Sequence, residues 1–203
     1  MKNISRYFFM AGGVILPRLS LVTLDWIEKK NSNPASNKQR QSIFQAEKDL
    51  LTGKLSPESY LSLAAACGSG ATAQDVLKGL FSEIKVDQGA LSTACDLKKN
   101  GRVYLVSDYP RPWLEEAACK TPIFECFSPD DVLYTAELGL GNDVSSLFDV
   151  LSSKSYLHPE ANMWVDAYPF RTSEAVRRGI DAIIYVEERR LRRELKLRNL
   201  LEN

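Results

Sequence analysis

The sequence predicts an α/β fold in which a parallel sheet forms the core and a helical insertion follows the first strand. Two patterns support this prediction. Short apolar runs alternate with longer amphipathic stretches along most of the chain, as in strands joined by crossover helices. The stretch before Arg102 differs, because it keeps helical periodicity and contains no convincing strand.

Five strands are predicted from apolar runs that end at a turn signal or a polar residue. They are Arg6 to Val14, Arg102 to Ser107, Val132 to Tyr134, Asn162 to Asp166 and Ala182 to Tyr185. The helices that follow the last four strands are predicted at Pro112 to Lys120, Val144 to Ser153, Arg171 to Arg178 and Glu187 to Leu200.

The predicted boundaries divide the chain into a core of residues 1–19 and 86–203 and a helical insertion of residues 20–85. Within the insertion, Ser56 followed by Pro57 is a helix-start signal, because a cap residue stands before proline at the first helical position. We expect Trp113 and Trp164 to lie in the core. Leu191 and Leu195 are expected to pack the last helix against the sheet.

The composition excludes several classes of protein. The 203 residues include 26 Lys+Arg and 26 Asp+Glu, so the formal net charge is zero, which argues against a nucleic-acid partner. The apolar run from Tyr7 to Leu16 is too short to span a bilayer and has no prompt cleavage site, so we interpret it as a strand. No membrane partner is expected.

The cysteines are widely spaced and never form a Cys-x-x-Cys pair, and His158 is the single histidine. This spacing excludes the usual tetrahedral zinc site and gives no support to a catalytic Cys–His pair. We expect Cys67, Cys95, Cys119 and Cys126 to be buried or half-buried free thiols. Together with the absence of an export signal, these thiols predict a cytoplasmic protein.

The ends of the predicted strands are the positions to inspect, because ligands of open parallel sheets bind beyond the carboxyl ends of the strands. The first strand ends around Met10 and Gly12, the second at Ser107 and Asp108, and the strand from Asn162 at Asp166. The segment AELGLGND precedes the helix predicted from Val144.

Five ordered segments together resemble the haloacid dehalogenase (HAD)-like hydrolase superfamily, in its branch with a small helical cap after the first strand. They are FMAGGVIL, LSPESY, LVSDYPRPWLEEA, AELGL and HPEANMWVDAYPFRTSEAVRRGIDAIIYVEERRLRREL. The resemblance covers nearly the whole chain, and it implies a Rossmann-like parallel sheet core with the insertion as the cap.

The resemblance also implies a chemistry. In this family an Asp at the end of the first strand attacks phosphorus or a halogenated carbon, a Ser or Thr and a Lys hold the anion, and acidic residues of the last motif hold Mg²⁺. Here the nucleophile position is Met10, the acid/base position is Gly12 and the Lys position is Asn142, whereas Ser107 and Asp166 are retained. A thioether replaces neither a nucleophilic carboxylate nor a ligand for a hard cation.

Each candidate residue at the strand ends or before the next helix has two interpretations. Ser107 is either an anion-binding hydroxyl or a cap of the following loop, and Asp166 is either a weak single ligand for Mg²⁺ or an acceptor for backbone donors. Asp108 and Asp143 are either groups that approach a substrate or ordinary turn and helix caps. Ser107, Asp108 and Asn142 are the predicted ligand-binding residues.

The sequence therefore predicts a pseudoenzyme: a HAD-like protein that has lost catalysis and acts as a binding, regulatory or interaction protein. Its ligand, a small molecule or a protein, would occupy the cleft between core and cap, and a homo-oligomer is compatible with the sequence. No cofactor is expected. The alternative is an active phosphatase or dehalogenase that uses Mg²⁺ and an unusual nucleophile, such as Asp108, Asp143 or a metal-bound water.

Overall fold

The computed structural model describes residues 3–140, 146–158 and 160–202. Within these residues, five parallel strands form one sheet in the order β3-β2-β1-β4-β5. The strands are β1 (Arg6–Met10), β2 (Arg102–Ser107), β3 (Val132–Tyr134), β4 (Asn162–Asp166) and β5 (Asp181–Ile184). The molecule is thus an α/β protein with a Rossmann-like parallel sheet, as predicted.

Ten α-helices accompany the sheet in the described residues. They are α1 (Leu19–Asn31), α2 (Asn37–Leu51), α3 (Pro57–Cys67), α4 (Ala73–Glu83), α5 (Gln88–Leu97), α6 (Arg111–Cys119), α7 (Ile123–Cys126), α8 (Leu147–Ser153), α9 (Pro169–Arg177) and α10 (Glu188–Leu197). Helices α1 to α4 pack against one another and form a four-helix segment, residues 19–83. The division of the chain into two domains stays a prediction.

Strand β1 lies at the centre of the sheet, between β2 and β4, and both of its faces are covered. The side chains of Tyr7, Phe8, Phe9 and Met10 are all 0% exposed, as expected for a parallel strand that reads as a continuous apolar run. The Phe8 ring stacks on Trp164 of β4, with ring centroids 5.9 Å apart. The two residues are also direct neighbours in the register of β1 and β4, and Trp164 is in the core as predicted.

The prediction that the first strand continues to Val14 is wrong. The strand ends at Met10, and the chain then turns so tightly that the carbonyl oxygen of Ala11 accepts hydrogen bonds from the N–H groups of Ile15 and Leu16. Gly13 has a φ of +88°, which glycine adopts without steric cost. The turn carries the chain from the sheet edge into α1.

Other predicted boundaries differ by a few residues. Strand β5 begins one residue earlier than predicted, and α9 begins at Pro169 rather than Arg171, because proline at the first helical position needs no hydrogen-bond acceptor. The Ser56 side chain caps α3 by accepting from the Ser59 N–H, as its sequence signal predicts. Leu191 and Leu195 of α10 are buried, also as predicted.

The cysteine prediction is wrong for three of the four residues. Cys95 of α5 and Cys126 of α7 form a disulfide, with their Cα atoms 4.9 Å apart, and Cys119 is exposed. The pair lies 31 residues apart in sequence without a motif, so spacing alone did not reveal it. The cysteines therefore no longer support the prediction of a cytoplasmic protein. None of the helices in the described residues combines the length and apolarity needed to cross a bilayer.

Candidate functional site

The strand ends bring the predicted site residues to one edge of the sheet. Met10 pairs in register with Val106, directly before Ser107, and Phe9 pairs with Val165, directly before Asp166. The ends of β1, β2 and β4 are therefore level. Asp108 follows at the same edge, which is where a ligand of an open parallel sheet would bind.

Met10 cannot supply the missing chemistry. Its side chain is 0% exposed, and a thioether is neither a nucleophile toward phosphoesters nor a ligand for Mg²⁺. No solvent or substrate reaches this side chain. The residue packs the end of the central strand instead of presenting a reactive group.

Asp108 fills the space that a side chain at position 12 would take. The backbone N–H of Gly12 donates a 2.7 Å hydrogen bond to its Oδ1, and a Cβ placed on Gly12 would lie 2.5 Å from its Oδ2. Burial raises the pKa of Asp108 to about 6, and the carboxylate of Glu47 adds to this rise, whereas the Arg171 guanidinium and the Gly12 N–H oppose it. Gly12 is thus required by the position of Asp108.

Ser107 uses its hydroxyl locally. The hydroxyl donates to the carbonyl oxygen of Tyr109 at 2.9 Å and accepts from the Tyr109 N–H at 3.2 Å. Only 1% of the residue is exposed. This geometry matches the interpretation of Ser107 as a cap of the following loop. The hydroxyl proton points to a backbone carbonyl and not to an anion site.

Asp166 is held by a buried arginine. Arg171 donates from Nε to Oδ2 at 2.5 Å and from Nη2 to Oδ1 at 3.0 Å. The indole N–H of Trp164 and the backbone N–H of Tyr168 donate to the same carboxylate. Burial alone would lower the pKa of Arg171. The adjacent Asp166 carboxylate more than offsets this effect, so the pKa of Arg171 is raised. The pair is a two-pronged, charge-assisted contact inside the protein.

These contacts decide whether the residues fit the Mg²⁺ ion that the family resemblance implies. Both oxygens of Asp166 already accept hydrogen bonds from three residues, and a guanidinium carries the compensating charge. Within the ranges that the structure describes, no group of three or more acidic, Cys or His side chains could hold a metal ion. The residues present therefore do not fit Mg²⁺, because the retained carboxylate is already taken up by protein donors and Met10 offers no oxygen ligand beside it.

Three further charged or aromatic groups surround the Asp166–Arg171 pair, and sequence reasoning missed them. Glu47 of α2 accepts from the Ser20 N–H at 2.9 Å and lies 3.6 Å from Nη2 of Arg18. The guanidinium groups of Arg18 and Arg171 each lie 4.2 Å from the centroid of the Tyr168 ring. Helix α2 thus contributes a carboxylate to the edge of the sheet, beside two cations and an aromatic ring.

One signal in the sequence could have revealed the role of Arg171. It is a cation in the first turn of α9, where the helix dipole disfavours positive charge, and it follows Asp166 by five residues. A cation in that position needs a compensating carboxylate. For Arg18 and Glu47 the sequence offers no comparable signal.

Asn142 and Asp143, predicted at the Lys position of the family and as an alternative nucleophile, lie outside the described residues. The candidate site is therefore built from Met10, Ser107, Asp108 and Asp166 on the strand ends, with the charges around Tyr168 beside them.

The architecture is similar to that of several proteins of known structure. No family model and no curated protein matches the sequence. A HAD family enzyme from Bacteroides thetaiotaomicron superposes with a TM-score of 0.69 at 13% identity, covering 90% of this chain and 93% of that one. A predicted HAD-like family hydrolase from Porphyromonas gingivalis gives 0.68 at 19% identity, covering 95% and 98%.

The L-2-haloacid dehalogenase from Xanthobacter autotrophicus gives a TM-score of 0.64 at 14% identity, covering 96% of this chain and 83% of the dehalogenase. The Bacteroides enzyme also has structures with magnesium and inorganic phosphate. The molecule is an α/β protein with a charged cluster at the carboxyl edge of its sheet. Its fold is that of the HAD-like hydrolase superfamily, as the sequence motifs indicate.

Proposed function

We propose that this HAD-fold chain has lost hydrolytic catalysis and works by binding, as a regulatory or interaction protein. The observation that carries the proposal is the buried pair of Asp166 and Arg171, in which the retained acidic residue serves an internal cation. At the neighbouring strand end, Met10 stands where the nucleophile would be. A scaffold without the nucleophile and without a metal ligand lacks both attack and charge neutralisation.

The proposed binding site is the cleft between the sheet edge and α2, and its occupant is a small molecule or a segment of a protein. Charged groups from separate elements converge there, with Glu47 from α2, Arg18 from the turn after β1 and Arg171 from α9. Such a cluster can act without a catalytic step, because its charges orient a ligand through hydrogen bonds. Assembly of two copies is a further part of the proposal.

A second candidate is an active hydrolase that uses Asp108. Its support is the position of this carboxyl beside Gly12 and its pKa of about 6, which suits a general acid or base near neutral pH. Against it, only 8% of Asp108 is exposed and its Oδ1 is bound to the Gly12 N–H. Covalent attack from a carboxyl held in this way would need the loop to move.

Turnover separates the two candidates. We expect purified protein to hydrolyse neither phosphate esters nor haloacids above the buffer rate, with Mg²⁺ or with EDTA. The comparison variant is Asp108→Asn, which keeps an acceptor for the Gly12 N–H; Asp166→Ala is unsuitable because it leaves Arg171 buried without its partner. A rate that disappears in Asp108→Asn would overturn the proposal and establish the second candidate.

A further inference from the structure

A cavity of about 280 Å³ lies between α2 and the turns that follow β1 and β4. We call it the rim cavity; Phe44, Glu47 and Lys48 line it from α2, Arg18 and Tyr168 line it from the turns, and Phe170 lines it from the start of α9. Its volume is near the lower end of the roughly 300–1,000 Å³ typical of ligand pockets, so it would hold one ring with a small substituent.

One cation at the rim cavity has no ion-pair partner in the described part of the chain. Asp166 forms an ion pair with Arg171, and the carboxylate of Glu47 lies 3.6 Å from Nη2 of Arg18. Lys48 is exposed at the cavity and forms no ion pair within the described part of the chain. The carboxylate of a ligand in the cavity would supply the ion-pair partner that Lys48 lacks.

Arg18 is also short of a hydrogen-bond acceptor. Its Nε is buried and has no partner among the described residues, and its Nη2 lies 3.6 Å from Glu47, beyond hydrogen-bond distance. The guanidinium lies over Tyr168 and 5.7 Å from the Phe44 ring centroid, so its position is fixed by aromatic contacts. A buried donor without an acceptor is costly, and an incoming carboxylate would supply the acceptor.

The remaining wall of the cavity is apolar and aromatic. Phe170 is 63% exposed and Phe44 is 38% exposed, both at the cavity, and the buried Leu51 also lines it. Exposed aromatic rings that border a small cavity commonly pack on a ligand. From these contacts we propose that the rim cavity binds an aromatic monocarboxylate, with Arg18 and Lys48 on its carboxylate and Phe44 and Phe170 on its ring.

The proposal rests on the binding role proposed above and names the class of its ligand. The probe is 4-fluorobenzoate, followed by ¹⁹F NMR, against the neutral isostere 4-fluorobenzamide and against acetate, which lacks the ring. We expect saturable binding of 4-fluorobenzoate and affinities at least about tenfold weaker for the two comparison compounds, since each lacks half of the contacts.

Substitutions of residues that line the cavity test whether 4-fluorobenzoate binds there. Arg18→Gln should weaken binding about tenfold, and Lys48→Gln and Phe170→Ala by roughly threefold or more. The last two residues are exposed, so their variants should fold even if Arg18→Gln does not. Lys38→Gln, an exposed lysine of the same helix outside the cavity, is the matched control and should bind like the wild type.

The proposal is overturned if 4-fluorobenzoate does not bind, if 4-fluorobenzamide binds equally well, or if Lys48→Gln and Phe170→Ala behave like Lys38→Gln. The same samples are assayed for hydrolysis of phosphate esters and haloacids. Turnover would refute the proposed loss of catalysis, whereas absent binding without turnover would refute only the ligand class.

Discussion

Arg171→Met is expected to lower the free energy of unfolding by about 3–5 kcal/mol, the largest effect of any single change at the site. Asp166 is 0% exposed, and the change removes the two hydrogen bonds and the charge that Arg171 supplies to it. The carboxylate would be left buried with only the donors of Trp164 and Tyr168. Urea denaturation of the variant and the wild type measures the difference.

Two further variants isolate the cause. Arg171→Met combined with Asp166→Asn removes both charges and keeps an acceptor for the Tyr168 N–H, so it should recover a large part of the loss. Arg111→Met breaks a two-pronged pair with Glu137 that is about half exposed, and it should cost less than about 1 kcal/mol. Equal losses in Arg171→Met and Arg111→Met would show that the buried pair has no special role.

Asp108→Asn is expected to gain stability relative to the wild type as the pH rises. The pKa of Asp108 is about 6 in the folded protein, against 3.8 ordinarily, so the folded state holds a proton that the unfolded state releases. The stability that this proton contributes to the folded state is fully present below about pH 4 and is lost as the pH rises through 6. From pH 5.0 to pH 7.5, the free energy of unfolding of the variant should rise by about 1–2 kcal/mol relative to that of the wild type.

The measurement is urea denaturation of both proteins at the two pH values. Asp130→Asn, at an exposed aspartate after α7, is the matched control and should show no such gain. A difference between wild type and Asp108→Asn that is the same at both pH values would contradict the raised pKa of Asp108.

The strands and the strand-end residues could be predicted because both follow from local patterns. Apolar runs buried on two faces mark parallel strands, and the polar residues that end them fall at one edge of the sheet. This reasoning found Met10, Ser107, Asp108 and Asp166. It extended the first strand too far, because Gly13 was treated as part of an apolar run although its positive φ turns the chain.

The contacts at the site and the disulfide could not be predicted, since they join elements distant in sequence or depend on side-chain direction. Glu47 reaches Ser20 across 27 residues, and Cys95 reaches Cys126 across 31. The pairing of Asp166 with Arg171 is local, but the same sequence is compatible with an arginine that points to solvent. The contact between Asp166 and Arg171 is the one that decides between a metal site and an internal ion pair.

The most direct test of the account is a titration of the wild-type protein with Mn²⁺ followed by EPR, because a bound ion loses the signal of the free one. Mn²⁺ replaces Mg²⁺ at oxygen sites, and the magnesium-binding HAD family enzyme from Bacteroides thetaiotaomicron serves as positive control. With Asp166 held by Arg171, the account predicts that Mn²⁺ stays free up to millimolar concentrations. One Mn²⁺ bound per chain at or below roughly 10⁻⁴ M, and displaced by Mg²⁺, would contradict it.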